Sequence, residues 1–216
     1  MYRIAVLISG SGSNLQALFD AQDQGDLGGA EVALVVSDRG DAYGLQRALA
    51  RGVAAAHVPI PAAPGGPARQ AARAAWEQRL ANVVAAFTPD LVVLAGFMRI
   101  LSPDFLQHFP DRVINQHPAL LPADGGDTVT TSAGLVIPAL RGAHVVPDAL
   151  RHRLPVTGCT IHRVTPRVDD GPILAQAEVP VLPGDDQASL HERIKTHERR
   201  MIVQVVRELA AASCRI

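Results

Sequence analysis

Aromatic residues are scarce in this chain of 216 residues, at 4% of the total, so a folded core has to be built from aliphatic side chains. Cysteine is nearly absent: Cys159 and Cys214 make neither a disulfide framework nor a paired metal motif. Neither sign of charge dominates. The formal net charge is −1 and the pI is near 6.7, which removes the electrostatic case for nucleic acid or an anionic membrane as a partner. No apolar run approaches the ~20 residues of a membrane span. The opening Met1-Tyr2-Arg3 and its brief apolar run are too short for a secretory leader. A reducing cytoplasm is the expected compartment, and small molecules are the expected partners of a monomer or homodimer. No repeat is evident. One domain is expected, burying roughly 70% of the surface of the unfolded chain.

What the chain has instead is alternation of short apolar runs with helical periods. Ile4 to Ile8 is continuously apolar and ends in a Gly/Ser turn, the pattern of a strand buried on both faces. A helix is predicted over Leu15 to Ala21, a strand over Glu31 to Ser37, a helix over Ala42 to Ala50 and a strand over Ala54 to Val58. After a Pro/Gly-rich loop, an Ala/Arg helix covers Ala68 to Phe87 and stops at Thr88-Pro89. Leu91 to Ala95 and Val113 to Asn115 are further strands, with a short helix at Pro103 to Phe109 between them. Such βαβ units imply an α/β fold with an open, doubly wound, mostly parallel sheet of Rossmann-like type. Beyond residue 155, Val156 to Val164 and Ile173 to Val181 read as a mixed or antiparallel extension, and Gln187 to Ala211 as a closing helix. Ala123 to Ala139 opens with Gly125-Gly126 and ends at Pro138, the punctuation of a surface excursion beside the sheet. Its Leu135-Val136-Ile137 is expected to pack as a local clasp over a lid or against a partner subunit.

Ligands of open α/β sheets bind at the carboxyl ends of the strands. Three polar segments follow strands here and are expected to share that edge. Gly10-Ser11-Gly12-Ser13-Asn14 joins a strand to a helix, where backbone amides and the helix N-terminus suit an anion. It lacks the third glycine of a dinucleotide fingerprint and the lysine of a P-loop, so a tight capping turn or a monophosphate cradle remains. Phe97-Met98-Arg99-Ile100-Leu101 reads equally as core with a surface arginine or as a flat pocket lining. Asn115-Gln116-His117-Pro118 sets a carboxamide and an imidazole on the same side of an extended segment, and Pro118 forces an exit from the strand. The turn Asp169-Asp170-Gly171-Pro172 can bring a carboxylate to that imidazole. An amide donor, a proton carrier and an anionic orienter are what acyl transfer to an amine needs.

Four blocks, in order, carry a family likeness: Leu7 to Leu18, Ala95 to Ser102, Asn115 to Pro122 and Asp169 to Gln176. With them, over residues 4 to about 209, the chain resembles the phosphoribosylglycinamide formyltransferases, folate-dependent enzymes of purine synthesis. The resemblance implies a single formyltransferase domain. Residues 1–100 would form a phosphate-binding half and residues 101–216 a catalytic and folate-binding half carrying the insert at about 123–139. It implies that Asn115, His117 and Asp169 are catalytic, and that Gly12, Ser13 and Asn14 hold a ribose phosphate. Glu198 would meet the glycinamide amine, although composition alone makes it a solvated helix face. Met98, Arg99, Ile100 and Leu101 would line the folate pocket, with Val168 and Asp170 on its other wall. The co-substrate would be 10-formyltetrahydrofolate.

Two departures bear on this reading. Asp170 stands where the family commonly has glycine; Asp169 is preferred as the acting acid because it keeps the spacing to Gly171-Pro172. Arg141, in Leu140-Arg141-Gly142-Ala143-His144, stands where proline is usual. His162 reads as a satisfied strand histidine, at a place where the family has one near the site. His117, His144, His162 and Cys159 match no usual zinc spacing, and no metal is expected. A methionyl-tRNA formyltransferase is expected to carry a further C-terminal domain and a basic face, and a formyltetrahydrofolate deformylase an extra N-terminal domain. A silent phosphometabolite-binding module would not need the Asn115, His117 and Asp169 set.

Overall fold

The computed structural model describes residues 1–213, so Cys214 lies outside the described residues. The elements are β1 (Tyr2–Ile8), α1 (Ser13–Asp23), β2 (Ala30–Ser37), α2 (Tyr43–Ala50), β3 (Ala54–His57), α3 (Pro67–Ala85), β4 (Leu91–Leu94) and α4 (Pro103–Gln107). They continue with β5 (Val113–His117), β6 (Thr128–Thr130), β7 (Val136–Pro138), α5 (Val145–Arg151), β8 (Val156–Arg163), β9 (Ile173–Pro180) and α6 (Gln187–Ser213).

A seven-stranded sheet in the order β3-β2-β1-β4-β5-β8-β9 runs through the molecule. β3 to β5 are mutually parallel, and β8 and β9 each pair antiparallel to their neighbour. The continuous apolar runs are explained by helices on both faces. Ile4, Val6 and Ile8 of β1 pack with α1, α2, α5 and α6, while Ala5 and Leu7 pack with α3 and α4. Each large aliphatic side chain buried this way contributes about 1.5–3 kcal/mol, enough to fix the strand without any aromatic stacking in it. Trp76, the single tryptophan, is fully buried on the inner face of α3 and donates its Nε1–H to the Val58 carbonyl at 2.8 Å, so its one polar side-chain atom is satisfied.

The sheet order reverses between β1 and β4, since β2 and β3 lie on one side of β1 and β4, β5, β8 and β9 on the other. This is the switch point where an open α/β sheet leaves a crevice. The antiparallel return of β8 pairs Asn115 with His162 and His117 with Thr160, which brings a residue from late in the chain to the end of β5.

Three features differ from the sequence reading. β5 extends to His117, so the imidazole sits on the strand. The run at 145–151, left unassigned by its pattern, forms α5, with Val145, Val146 and Ala149 buried. The excursion after Pro122 is outside the main sheet but is not irregular: β6 and β7 form a two-stranded antiparallel hairpin. Of its apolar trio only Ile137 is buried, packing with Val129 and Leu120, whereas Leu135 and Val136 face solvent. The alternation of the strand explains this, because residues 136 and 138 point away from the face that holds 137.

Candidate active site

A cleft of about 570 Å³ opens at the carboxyl ends of β1, β4 and β5. One end is the loop before α1. Gly12 has φ +68, and a Cβ there would lie 2.8 Å from the Gly44 Cα, so left-handed backbone and contact with α2 both require glycine. α1 has no side-chain cap hydrogen bond, which leaves its first amides for an anionic ligand. Ser13 and Asn14 line the same end. Arg47 steadies the loop by donating to the Ser11 carbonyl at 2.9 Å.

Beside this loop lies Glu198, only 4% exposed. Composition suggests a solvated face, but α6 lies along the sheet and turns this residue inward. Asn14 Nδ2 stands 3.5 Å from Glu198 Oε2. Burial raises the Glu198 pKa, against the lowering effect of Gln116 and Asn14 donors. Asn14 Oδ1 and Gln116 Oε1 are buried without a protein partner, so the cluster has acceptor capacity to offer a ligand N–H.

The cleft also holds Asn115, His117, His162 and Asp169. His117 Nδ1 is 3.5 Å from Asp169 Oδ2, and its Nε2 is 2.8 Å from the Leu140 carbonyl oxygen. With an acceptor at each ring nitrogen, only the imidazolium donates to both. Burial nonetheless pushes the His117 pKa below its ordinary value, opposed by Asp169 and by the Leu140 carbonyl. Burial would raise the Asp169 pKa, but the neighbouring His162 and His117 rings and the Gly142 N–H hold it below the usual range. Gly142 N donates to Asp169 Oδ2 at 2.8 Å. His162 Nδ1 donates to the Arg163 carbonyl at 2.9 Å, leaving Nε2 to accept from Asn115 Nδ2 at 3.2 Å. Asn115 is thereby oriented with its second amide hydrogen free.

The cleft also has an apolar mouth. Met98, Ile100 and Val168 are 61%, 66% and 43% exposed, and with Leu101 they flank the cleft. Arg99 is held by a bond of 2.6 Å to the buried carboxylate of Asp38, which also accepts from Ser9 Oγ at 2.6 Å. Ser9 Oγ in turn accepts from the Met98 N–H at 2.9 Å, so the strand ends of β1 and β2 fix this loop. Asp170 does not line the cleft; it turns to Arg167 and to Gly125 at the base of the hairpin.

The structure thus brings Gly12, Ser13, Asn14, Met98, Arg99, Ile100, Leu101, Asn115, His117, Val168, Asp169 and Glu198 to one cleft and leaves Asp170 behind it. Residues that sequence reasoning passed over are Gln116, the Ser9–Asp38 pair and His162 as the partner of Asn115. For the last, the resemblance places a histidine near the site, but its pairing with Asn115 comes from the antiparallel register of β8, which is not written in local sequence. Among the described residues no group of three or more His, Cys, Asp or Glu side chains is arranged to hold a metal ion, and no helix is long and apolar enough to cross a membrane.

A doubly wound sheet with an amide, an imidazole and a carboxylate gathered in the cleft at its strand ends suits a formyl-group transferase. Residues 2–206 match the family described as formyl transferase, and the chain belongs to that family. Within it, the chain is one of the phosphoribosylglycinamide formyltransferases. It is 43% identical over 208 residues to the phosphoribosylglycinamide formyltransferase of Mycobacterium tuberculosis, covering 96% of this chain and 85% of the relative. The corresponding figures for the Escherichia coli enzyme of the same name are 38% over 203 residues, 94% and 84%. Among solved structures, glycinamide ribonucleotide transformylase 1 from Symbiobacterium toebii superposes with a TM-score of 0.83 at 42% identity, over 98% of this chain and 89% of that one.

Proposed function

We propose that this cleft transfers the formyl group of 10-formyltetrahydrofolate to the amine of 5'-phosphoribosylglycinamide, a step of purine synthesis. The observation that carries this reading is the gathering in one cleft of an anion cradle, a buried carboxylate, the amide–imidazole–carboxylate set and an apolar mouth. The loop Gly12-Ser13-Asn14 receives the phosphate, and Glu198 with the Gln116 and Asn14 oxygens receives the amine. Met98, Arg99, Ile100, Leu101 and Val168 receive the folate, whose flat rings match an apolar, half-open mouth. Asp170 is assigned no ligand contact; it supports the turn that carries Asp169.

The amine nitrogen attacks the formyl carbon, and the carbonyl oxygen takes the negative charge. Asn115 donates its free N–H to that oxygen, a contact that strengthens as charge develops. His117 adds positive charge beside it when protonated, a state that burial disfavours and that Asp169 and the Leu140 carbonyl favour. Collapse of the tetrahedral species breaks the bond from carbon to the folate N10. That nitrogen gains a proton while the attacking nitrogen loses one, and Asp169 handles this transfer through water. These side chains need no metal ion. Residues 1–100 thus supply the phosphate cradle and much of the folate mouth, and residues 101–216 supply the reacting groups and the carboxylate that meets the amine. We place the reaction in the cytoplasm, on small molecules, by a monomer or homodimer.

An absorbance assay of tetrahydrofolate release decides the reaction. Release that requires the ribonucleotide amine is expected; release at the same rate without it would make the chain a hydrolase.

A further inference from the structure

We infer that Arg141 is a positioning residue for the His117–Asp169 pair, and that through it the β6–β7 hairpin belongs to the catalytic apparatus. The inference rests on the formyl transfer proposed above and concerns how its proton-carrying pair is held.

Three consecutive residues touch both members of that pair. The Leu140 carbonyl accepts from His117 Nε2, and the Gly142 N–H donates to Asp169 Oδ2, each at 2.8 Å. Between them, Arg141 Nε donates to the Asp169 carbonyl oxygen at 3.4 Å. A backbone strap therefore fixes the ring and the carboxylate together, and its position depends on what holds Arg141. The other arm of the guanidinium supplies that hold: Nη2 donates to the Gly126 carbonyl at 2.7 Å and the Gly125 carbonyl at 3.2 Å. One planar fork thus joins the base of the hairpin to the catalytic turn, a geometry that lysine cannot reproduce.

The catalytic turn needs such support. Asp169 has φ +51, a left-handed conformation that is uncommon for a non-glycine residue and has to be held by its surroundings. The hairpin is firm enough to give that support. Its base is closed by the Ala139 N–H donating to the Asp127 carbonyl at 2.8 Å. Val129 and Ile137 pack on Leu120, three residues past the catalytic strand. Ser132 Oγ donates to Glu178 of β9 at 2.8 Å, tying the far end of the hairpin to the sheet. Gly125 lies so close to the turn that a Cβ there would stand 2.5 Å from Asp170 Oδ1. Strap, turn and hairpin base are one packed unit.

The test compares wild type, Arg141→Ala and Arg141→Lys in steady-state formyl transfer, each shown to be folded by its melting curve, and repeats Arg141→Ala in an Asp169→Asn background. Removing the guanidinium should lower kcat by about tenfold to a hundredfold, the scale of a misplaced catalytic group, while KM for both substrates stays within about twofold. Lysine should restore little of the loss. In the Asp169→Asn background the same removal should cost less than about twofold more, because residues acting as a unit are not additive. An unchanged kcat, a loss confined to KM, or a full multiplicative loss in the Asp169→Asn background overturns the inference. If Arg141→Ala does not fold, replacing residues 125–138 by a short turn with Arg141 kept should give the same fall in kcat, and a wild-type kcat there overturns it. Absence of transfer by the wild-type chain overturns the reaction and this inference with it, whereas a wild-type rate in the variants overturns this inference alone.

Discussion

At the end of β1 the proposed ligand cradle is made of five consecutive residues, Gly10 to Asn14, whereas the proposed reacting centre at the end of β5 is assembled from four separate segments. The cradle works through backbone: glycine conformations and unpaired helix amides present the same partial charges whatever packs around them. The reacting centre works through side chains whose separations, 2.8–3.5 Å, are set by β8, by the strap at 140–142 and by the turn at 169. A single substitution in the cradle should therefore weaken one ligand. A substitution in the reacting centre should disable the group it belongs to.

The strongest way to break this contrast is the pair His117 and Asp169. Each alanine substitution should lower turnover by roughly 10²–10⁴, the usual scale of a lost proton-transfer group, and the double variant should be little worse than the poorer single one. Fully multiplicative losses in steady-state rates would mean that the two act separately. Asn115→Ala should cost about 10²–10³ in kcat with KM nearly unchanged, as for other oxyanion donors; near-wild-type turnover by folded protein would remove its assigned role.

A smaller effect is expected in the cradle. Ser13→Ala should weaken ribonucleotide binding roughly tenfold, the worth of one hydrogen bond to a charged group, with folate affinity unchanged in a calorimetric titration. Equal losses for both ligands would show that the cradle is not independent of the mouth. Asn14 is the less clean choice, because its amide also meets Glu198.

The smallest effect sharpens the comparison where the two regions meet. Burial raises the Glu198 carboxyl pKa, so its ionised form is disfavoured in the folded state. The contribution of this one group to stability is then greatest below the unfolded carboxylate value of ~4.3 and falls as pH rises through the folded value. Glu198→Gln should therefore raise Tm by a few degrees at neutral pH, with the difference vanishing near pH 4, while KM for the ribonucleotide rises. A variant that melts equally or lower at neutral pH would show that the carboxylate is already well compensated in the free protein.

The chain order of apolar runs, Ile4 to Ile8, Leu91 to Ala95 and the rest, determined the doubly wound sheet, since periods of two-sided burial and helical spacing are local and strong. The contiguous pieces of the site, Gly12 to Asn14, Met98 to Leu101 and Asn115 to His117, were legible for the same reason: each is a short run following a strand. Glu198 was not legible from its surroundings, because Lys195, His197, Arg199 and Arg200 make a polar stretch of α6 and only packing on the sheet buries one of its faces. His162 became the partner of Asn115 through an antiparallel register that no local pattern encodes. The excursion after Pro122 was readable as lying outside the main sheet. Its folding into a hairpin, and the joining of that hairpin to Asp169 by Arg141, came from contacts between segments far apart in the chain. Local propensity and periodicity are properties of neighbouring residues, whereas the distances within the reacting centre are set by packing among elements, and only the tertiary structure supplies those.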